Sequence, residues 1–238
     1  MLTATFAIAR NTFTEAIRQP IYLVLLLLIS AVFALGLVTS AYTFGDDSLQ
    51  MIVMGLGMVL VGGTVMAALV ATGVLAREIG NRTVLTVISK PIGRPVFVVG
   101  KYLGVAGAIG LAMWVWAMVY LMTIRHKVVS AAGDQIDWPV VVLALAAFAL
   151  AAVVSVWGNY FYRWAFASTF TRTLAVTITL GYLLVLMIDK QWHFQPIYTE
   201  FDPDLAPVTN YGEVNKSLGQ VVLALVLVIE AVGMLTAV

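Results

Sequence analysis

The sequence predicts an all-α, polytopic membrane protein. It comprises six transmembrane helices, an N-terminal interfacial helix, and a short cytoplasmic helix between spans two and three. Three observations predict this class. The 238 residues are 62% hydrophobic and 11% charged, against roughly 45–50% apolar and about 25% charged in soluble domains. Several uninterrupted apolar runs reach the ~20 residues that cross a bilayer. None alternates apolar with polar residues, as the ~10-residue strands of a membrane β-barrel do.

Residues 2–19 are amphipathic at helical spacing. Leu2, Phe6, Ala9, Phe13 and Ile17 share one stripe, and Arg10, Thr14 and Arg18 fall elsewhere on the wheel. Such a helix lies in the interface plane with its apolar face in the acyl boundary; a helix facing water is the alternative. Pro20 marks the boundary with the first span, about residues 21–40. Basic residues before an apolar run also open signal peptides. This run is longer than an h-region and more spans follow, so it reads as a retained anchor. A short acidic loop with Asp46 and Asp47 comes next. The second span, 51–76, holds Gly55, Gly57, Gly62, Gly63 and Gly73. Small residues let helices approach closely in lipid; a helix that slides or lines a pathway is the sharper alternative.

The third span, 96–124, begins with Gly100-x-x-x-Gly104. Trp114, Trp116 and Tyr120 lie toward its far end, where an aromatic belt is expected. The loop 125–138 is balanced, with Arg125 and Lys127 against Asp134 and Asp137. Trp138-Pro139 opens the fourth span, 140–157. The loop 158–172 carries Arg163 and Arg172 and no acid, and its aromatics suit the membrane interface. The fifth span, 174–188, is short unless it starts within that loop. Residues 189–218 form the longest polar segment, acidic in balance, and Pro196, Pro203 and Pro207 argue against a long helix there. The sixth run, 218–238, stops without a basic flank or polar tail. Two readings are expected for that end: a chain truncated from a longer protein, or a short C-terminus at the membrane face.

Lys and Arg in short loops set orientation. The N-terminus, 77–101 and 158–172 are basic, 41–50 and 189–218 are acidic, and 125–138 is balanced. The basic segments alternate, as six spans with both termini inside require. That puts the N-terminus in the cytoplasm of a cell whose inner membrane holds the chain.

Several chemistries fail on residue type. There is no cysteine, which excludes disulfides, thiolate metal sites and cysteine catalysis. His126 and His193 sit on different loops, so a histidine metal site within one chain is not expected. Gly93 to Gly100-Lys101 resembles a P-loop but has six residues between the glycines, and Tyr102 stands where Ser or Thr binds magnesium. No cofactor is therefore expected in this chain. Asn81-Arg82-Thr83 and Asn215-Lys216-Ser217 match the glycosylation pattern by chance, the first on the cytoplasmic side. Asp202 and Asp204 flank Pro203 and read as a solvated turn. Glu230 lies within the sixth run, and an acid at membrane depth is costly and functional by default. It can bind a substrate cation, relay a proton or pair with another helix; nearer an interface it means less.

The most basic stretch is 77–101, where Arg77, Arg82, Lys90, Arg94 and Lys101 meet one acid, Glu78. Gly80-Asn81 offers a turn. Thr83 can cap a short helix that sets Val84, Leu85, Val87 and Ile88 on one broad face. Ser89-Lys90-Pro91 ends it, Gly93-Arg94-Pro95 turns the chain back, and Lys101 can snorkel to the interface. Spacing alone leaves two readings: a helix presented to a cytosolic partner, or a basic loop that fixes topology and meets anionic headgroups.

The order Arg77-Glu78-x-Gly80-x-x-Thr83, then Ser89-Lys90-Pro91-x-x-Arg94, then Gly100-Lys101 resembles the first cytoplasmic loop of ABC-2-type transporter permeases. There an acid and a Gly-Thr pair precede a leucine-rich and then Ser-x-Pro-x-x-Arg segment, and Gly-Lys opens the next span. The N-terminal helix is similar to that family's elbow helix. The likeness covers residues 1–110, with one departure: Asn81-Arg82 separate Gly80 from Thr83.

The resemblance implies that the loop is a coupling helix docked in a cleft of a cytosolic ABC ATPase subunit, which would hold the ATP and magnesium. Closure of two ATPase subunits would move two permease subunits, a homo- or heterodimer, between inward and outward states. Glu78, Gly80, Thr83, Ser89, Pro91 and Arg94, with the Val84, Leu85, Val87 and Ile88 face, would be contact or shaping residues, none of them catalytic. The expected function is the permease subunit of an exporter, with membrane lipid as a further partner and no nucleic acid. An ion-coupled secondary transporter with Glu230 as coupling site is the alternative. Inverted repeats are expected there, and residues 1–120 and 121–238 show no mutual similarity. A membrane-embedded enzyme would need a His, Asp or Ser cluster in the spans, where Glu230 is the one charge well inside.

Overall fold

Lipid offers no partner to a free backbone N–H or C=O, so spanning segments close their hydrogen bonds internally as helices. The computed structural model describes residues 2–39, 47–80, 93–126, 136–188 and 190–194. These form six helices: α1 (Leu2–Ile17), α2 (Pro20–Thr39), α3 (Asp47–Gly80), α4 (Arg94–His126), α5 (Trp138–Tyr162) and α6 (Phe166–Met187). Among the described residues the one extended pairing is an isolated bridge between Ile188 and Phe194. Four stretches are long and apolar enough to cross a membrane: Val53–Val74, Pro95–His126, Trp138–Tyr162 and Phe166–Met187. The pair α1–α2 passes the same test as a broken unit, bent by 65°. The sixth apolar run, 218–238, lies outside the described residues.

Local chemistry sets the helix ends. Pro20 has no N–H to give α1, so it ends that helix and starts α2, whose first turn closes from Tyr22 N to Gln19 O at 3.1 Å. Asp137 caps α5 by accepting from Val140 N at 3.5 Å, with Pro139 in the first turn. At the other end Arg163 takes the left-handed conformation, φ 55°, and Trp164 N–H donates back to the Gly158 carbonyl at 3.1 Å. Hydroxyls within the spans return to carbonyls one turn back, as in Ser30 to Leu26, Thr72 to Ala68 and Ser155 to Ala151. That leaves no unpaired hydroxyl at those sites in lipid.

Helix α4 is the hub. It packs against each of the other five helices, and 61% of its apolar stretch is buried against 22% for α5. Two kinds of surface allow this. Near its start, Gly100 and Gly104 admit α1; a Cβ on Gly104 would fall 2.6 Å from the Ala9 carbonyl and from Thr12 Cβ. Further along, Met113, Trp116 and Tyr120 are fully buried against α2 and α3. Trp116 Nε1 donates to the Leu26 carbonyl at 3.0 Å, and Tyr22 Oη donates to the Ala108 carbonyl at 2.7 Å. Gly55 of α3 lies under the Tyr120 ring, 1.9 Å from where a Cβ would sit. For Gly55, Gly100 and Gly104 the small side chain thus serves close packing. Helices α5 and α6 form a hairpin against the hub, tied by Thr177 Oγ1 to the Ala147 carbonyl at 3.0 Å and by Trp114 Nε1 to Thr179 Oγ1 at 2.9 Å.

Three expectations need correction. Trp116 and Tyr120 are core residues, not belt residues, because a 33-residue helix puts them well inside its length where α2 and α3 cover them. Arg94 and Pro95 do not turn the chain back, because α4 already begins at Arg94 with Pro95 in its first turn. Residues 158–172 are not a loop, since only 163–165 lie outside α5 and α6. α6 therefore begins within the aromatic segment and is long enough to cross a membrane.

Gly104→Val should separate α1 from α4 and destabilise the bundle by ~1–3 kcal/mol, the usual cost of overpacking. Gly110→Ala, where a Cβ meets nothing within 4 Å, should leave thermal unfolding in detergent unchanged.

Candidate functional site

The connector 81–93 leaves and re-enters the bundle through two helix ends. Helix α3 continues beyond its apolar stretch to Gly80, with Arg77 in the last turn, where a cation complements the negative end of the helix dipole. Helix α4 begins at Arg94, and the Gly93 carbonyl accepts from Val96 N at 3.0 Å and Phe97 N at 3.3 Å to close its first turn. Lys101 Nζ lies 5.6 Å above the Phe97 ring, so part of its charge is held on the first turns of α4.

These ends are locked to the rest of the bundle. α1 lies along the opening turns of α4, with Thr5 and Ile8 against Gly100 and Ala9, Thr12 and Phe13 against Gly104. Gln19, at the α1–α2 break, rests on Gly73 of α3 with its Oε1 2.7 Å from where a Cβ would stand. Among the described residues Thr12 Oγ1 and Gln19 Nε2 are buried without a hydrogen-bond partner. The seam between α1 and the opening turns of α4 is closely packed.

The sequence-derived site residues distribute accordingly. Glu78 and Gly80 fall in the last turn of α3 and Arg94 opens α4, on the two helix ends that flank the connector. Thr83, Val84, Leu85, Val87, Ile88, Ser89 and Pro91 lie outside the described residues, as does Glu230.

At its other end α4 carries a junction that sequence reasoning missed. Arg125 donates through Nη1 to the Val185 carbonyl and through Nη2 to the Ile188 carbonyl, two acceptors at the end of α6. Its Nε stands 3.7 Å from Asp137 Oδ2, with both side chains nearly buried at 10% and 2% exposure. One guanidinium therefore joins the end of α4, the cap of α5 and the last carbonyls of α6. The available signal was Asp137 itself, an acid one residue before Trp-Pro at a helix start. Across the loop its pairing with Arg125 looked like mere charge balance.

With α4 about 50 Å long at ~1.5 Å per residue, one helix connects the connector end to this junction. The arrangement suits transmission of a displacement. Among the described residues no group of three or more His, Cys, Asp or Glu could hold a metal.

A protein-family model described as "ABC-2 family transporter protein" matches residues 6–194. No curated protein and no solved structure matches the chain.

Breaking the junction should be costly. Arg125→Leu should destabilise the protein by ~3–5 kcal/mol, because it strands a buried carboxylate. In a double-mutant cycle with Asp137→Leu, followed by chemical unfolding in detergent, the coupling should be about 0.5–3 kcal/mol.

Proposed function

The chain belongs to the ABC-2 transporter family, and from that premise we propose that it is the permease subunit of an ATP-binding cassette exporter. It works with a separate cytosolic ATPase and pairs with a second permease subunit. The observation that carries this reading is mechanical. The two helices flanking the 81–93 connector run without a break into the bundle, and one of them, α4, packs against every other helix. Among the described residues nothing interrupts the path from either helix end into the bundle.

In this reading the connector is the coupling helix. Its Val84, Leu85, Val87 and Ile88 face docks on the ATPase, Glu78, Gly80, Thr83, Ser89 and Pro91 shape or contact the joint, and Arg94 starts the helix that carries the motion. ATP and magnesium stay on the partner. Closure of two ATPase subunits shifts the connector, α4 moves with it, and α1 follows through the glycine seam as an elbow helix. Packed helices have discrete arrangements rather than a continuum, so such a shift moves the permease between two states. The energy for the change is the ATPase's differential affinity for those states. The basic residues at the connector end support a cytoplasmic location for it, with the N-terminus on the same side of a bacterial-type inner membrane. Family membership favours this over an ion-coupled carrier built on Glu230.

The chain purified alone should hydrolyse no ATP, and activity should appear only in complex with its ATPase. In that complex, reconstituted in proteoliposomes, Val87→Asp with Glu78→Ala should leave hydrolysis running while the ATP-driven change in distance between labels on the permease disappears. Full coupling in the double variant would refute the assignment of the connector.

A further inference from the structure

The turn between α5 and α6 is short and heavily built. Arg125 ties the start of α5 and the end of α6 to the far end of α4, so the turn lies at the connector end of the bundle. Around it stand exposed rings: Tyr160 at 79%, Tyr162 at 63% and Trp164 at 51%, with Trp157, Phe161 and Phe166 beside them. They are held in place. Trp157 and Phe161 meet at 4.3 Å between centroids, and Tyr162 stacks on Trp164 at 5.1 Å. Asn159 Nδ2 donates to the Trp164 carbonyl at 2.7 Å, and the Trp164 ring occupies the space a Cβ on Gly158 would need, 2.6 Å away.

An aromatic collar by itself is indifferent to headgroup charge. This one is not neutral. Arg163 is exposed at the apex in the left-handed conformation, where glycine is the usual residue. Placing a long cationic side chain there costs conformational energy that a glycine would avoid. Arg172 is exposed about 9 Å further along α6, a distance its side chain can span by snorkelling. No acid occurs between Gly158 and Arg172, and among the described residues neither arginine pairs with a carboxylate. Guanidinium groups bind phosphate by paired hydrogen bonds, and aromatic collars of membrane proteins sit at the headgroup level, where lipid phosphodiesters are found.

We propose that the α5–α6 turn is a binding site for an anionic phospholipid, with Arg163 and Arg172 on the headgroup and the Tyr160, Tyr162 and Trp164 rings fixing its depth. The proposal rests on the membrane-spanning helices and not on ATP coupling, so the two can fail separately.

The test is native mass spectrometry of the protein released from nanodiscs of phosphatidylcholine with added phosphatidylglycerol. The wild type should retain phosphatidylglycerol in preference. Arg163→Gly with Arg172→Gln should lower that retention on the order of tenfold, with thermal stability in pure phosphatidylcholine no lower than the wild type's, because glycine relieves the left-handed position. Arg163→Lys with Arg172→Lys should restore only part of it, because an ammonium supplies the charge without the paired hydrogen bonds; full restoration would overturn the guanidinium assignment. Arg10→Gln with Arg18→Gln, which removes two exposed charges of α1, should have no effect. Equal phosphatidylglycerol retention by the wild type and the Gly/Gln variant would overturn the proposal. So would an equal loss in the Arg10 and Arg18 variant, which would reduce the preference to net charge.

Discussion

Everything in the bundle depends on α4 being thin on one part of its length and thick on another. Between Gly100 and Gly104 its backbone is bare enough for α1 to rest on it. From Met113 to Tyr120 it projects large side chains that fill the space between α2 and α3. A uniformly leucine-covered helix would hold its neighbours at the usual 8–10 Å or so and could not seat α1. In lipid this shape matters more than hydrophobicity, because lipid tails are as apolar as the side chains they replace.

Polar contacts give the packed shape its register. Tyr22 reaches Ala108, Trp116 reaches Leu26, Trp114 reaches Thr179, and Thr177 reaches Ala147. Each is worth about 0.5–1.5 kcal/mol net, so none dominates. Their directions matter more: they fix how far each helix stands along α4. The guanidinium of Arg125 supplies the last fixed point, where three segments converge.

The helical class was plain from composition, because a chain that is 62% hydrophobic has nowhere else to put its side chains. The apolar run at 51–76 lies inside α3, and the run at 96–124 lies inside α4. Burial was harder to read. An apolar stripe identifies the inward face of a helix in water, but in a membrane the outward face is apolar too. The stripe of α1 is accordingly split: Phe6 is exposed while Ile17 is buried beside Thr12 and Ala16. Aromatic residues carry the same ambiguity. Trp116 and Trp164 look alike in sequence, yet one is sealed in the core and the other is half exposed. The ends of α5 and α6 were hidden because Arg163 and Arg172 suggested a loop, although arginine is compatible with helix at a membrane boundary. Of the candidate site, Glu78 and Gly80 lie within α3 and Arg94 within α4, so the helices run further toward the connector than the Gly80-Asn81 and Gly93-Arg94-Pro95 turns expected from sequence. The Arg125–Asp137 pair was invisible because sequence gives charges without partners.

The glycine seam also has a consequence for how the protein is made. Ala9 leaves the ribosome roughly ninety residues before Gly104, and at ~5–20 residues per second the interval is about 5–20 s. During that time α1 has no α4 to lean on. In the proposed elbow-helix reading, its mixture of apolar residues with Arg10 and Arg18 would let it wait at the water–lipid boundary without being drawn across. The nascent N-terminus can thus be parked on one side of the membrane until its seat is synthesised. The sidedness of the finished protein would then be decided by a helix that has not yet found its place in the fold.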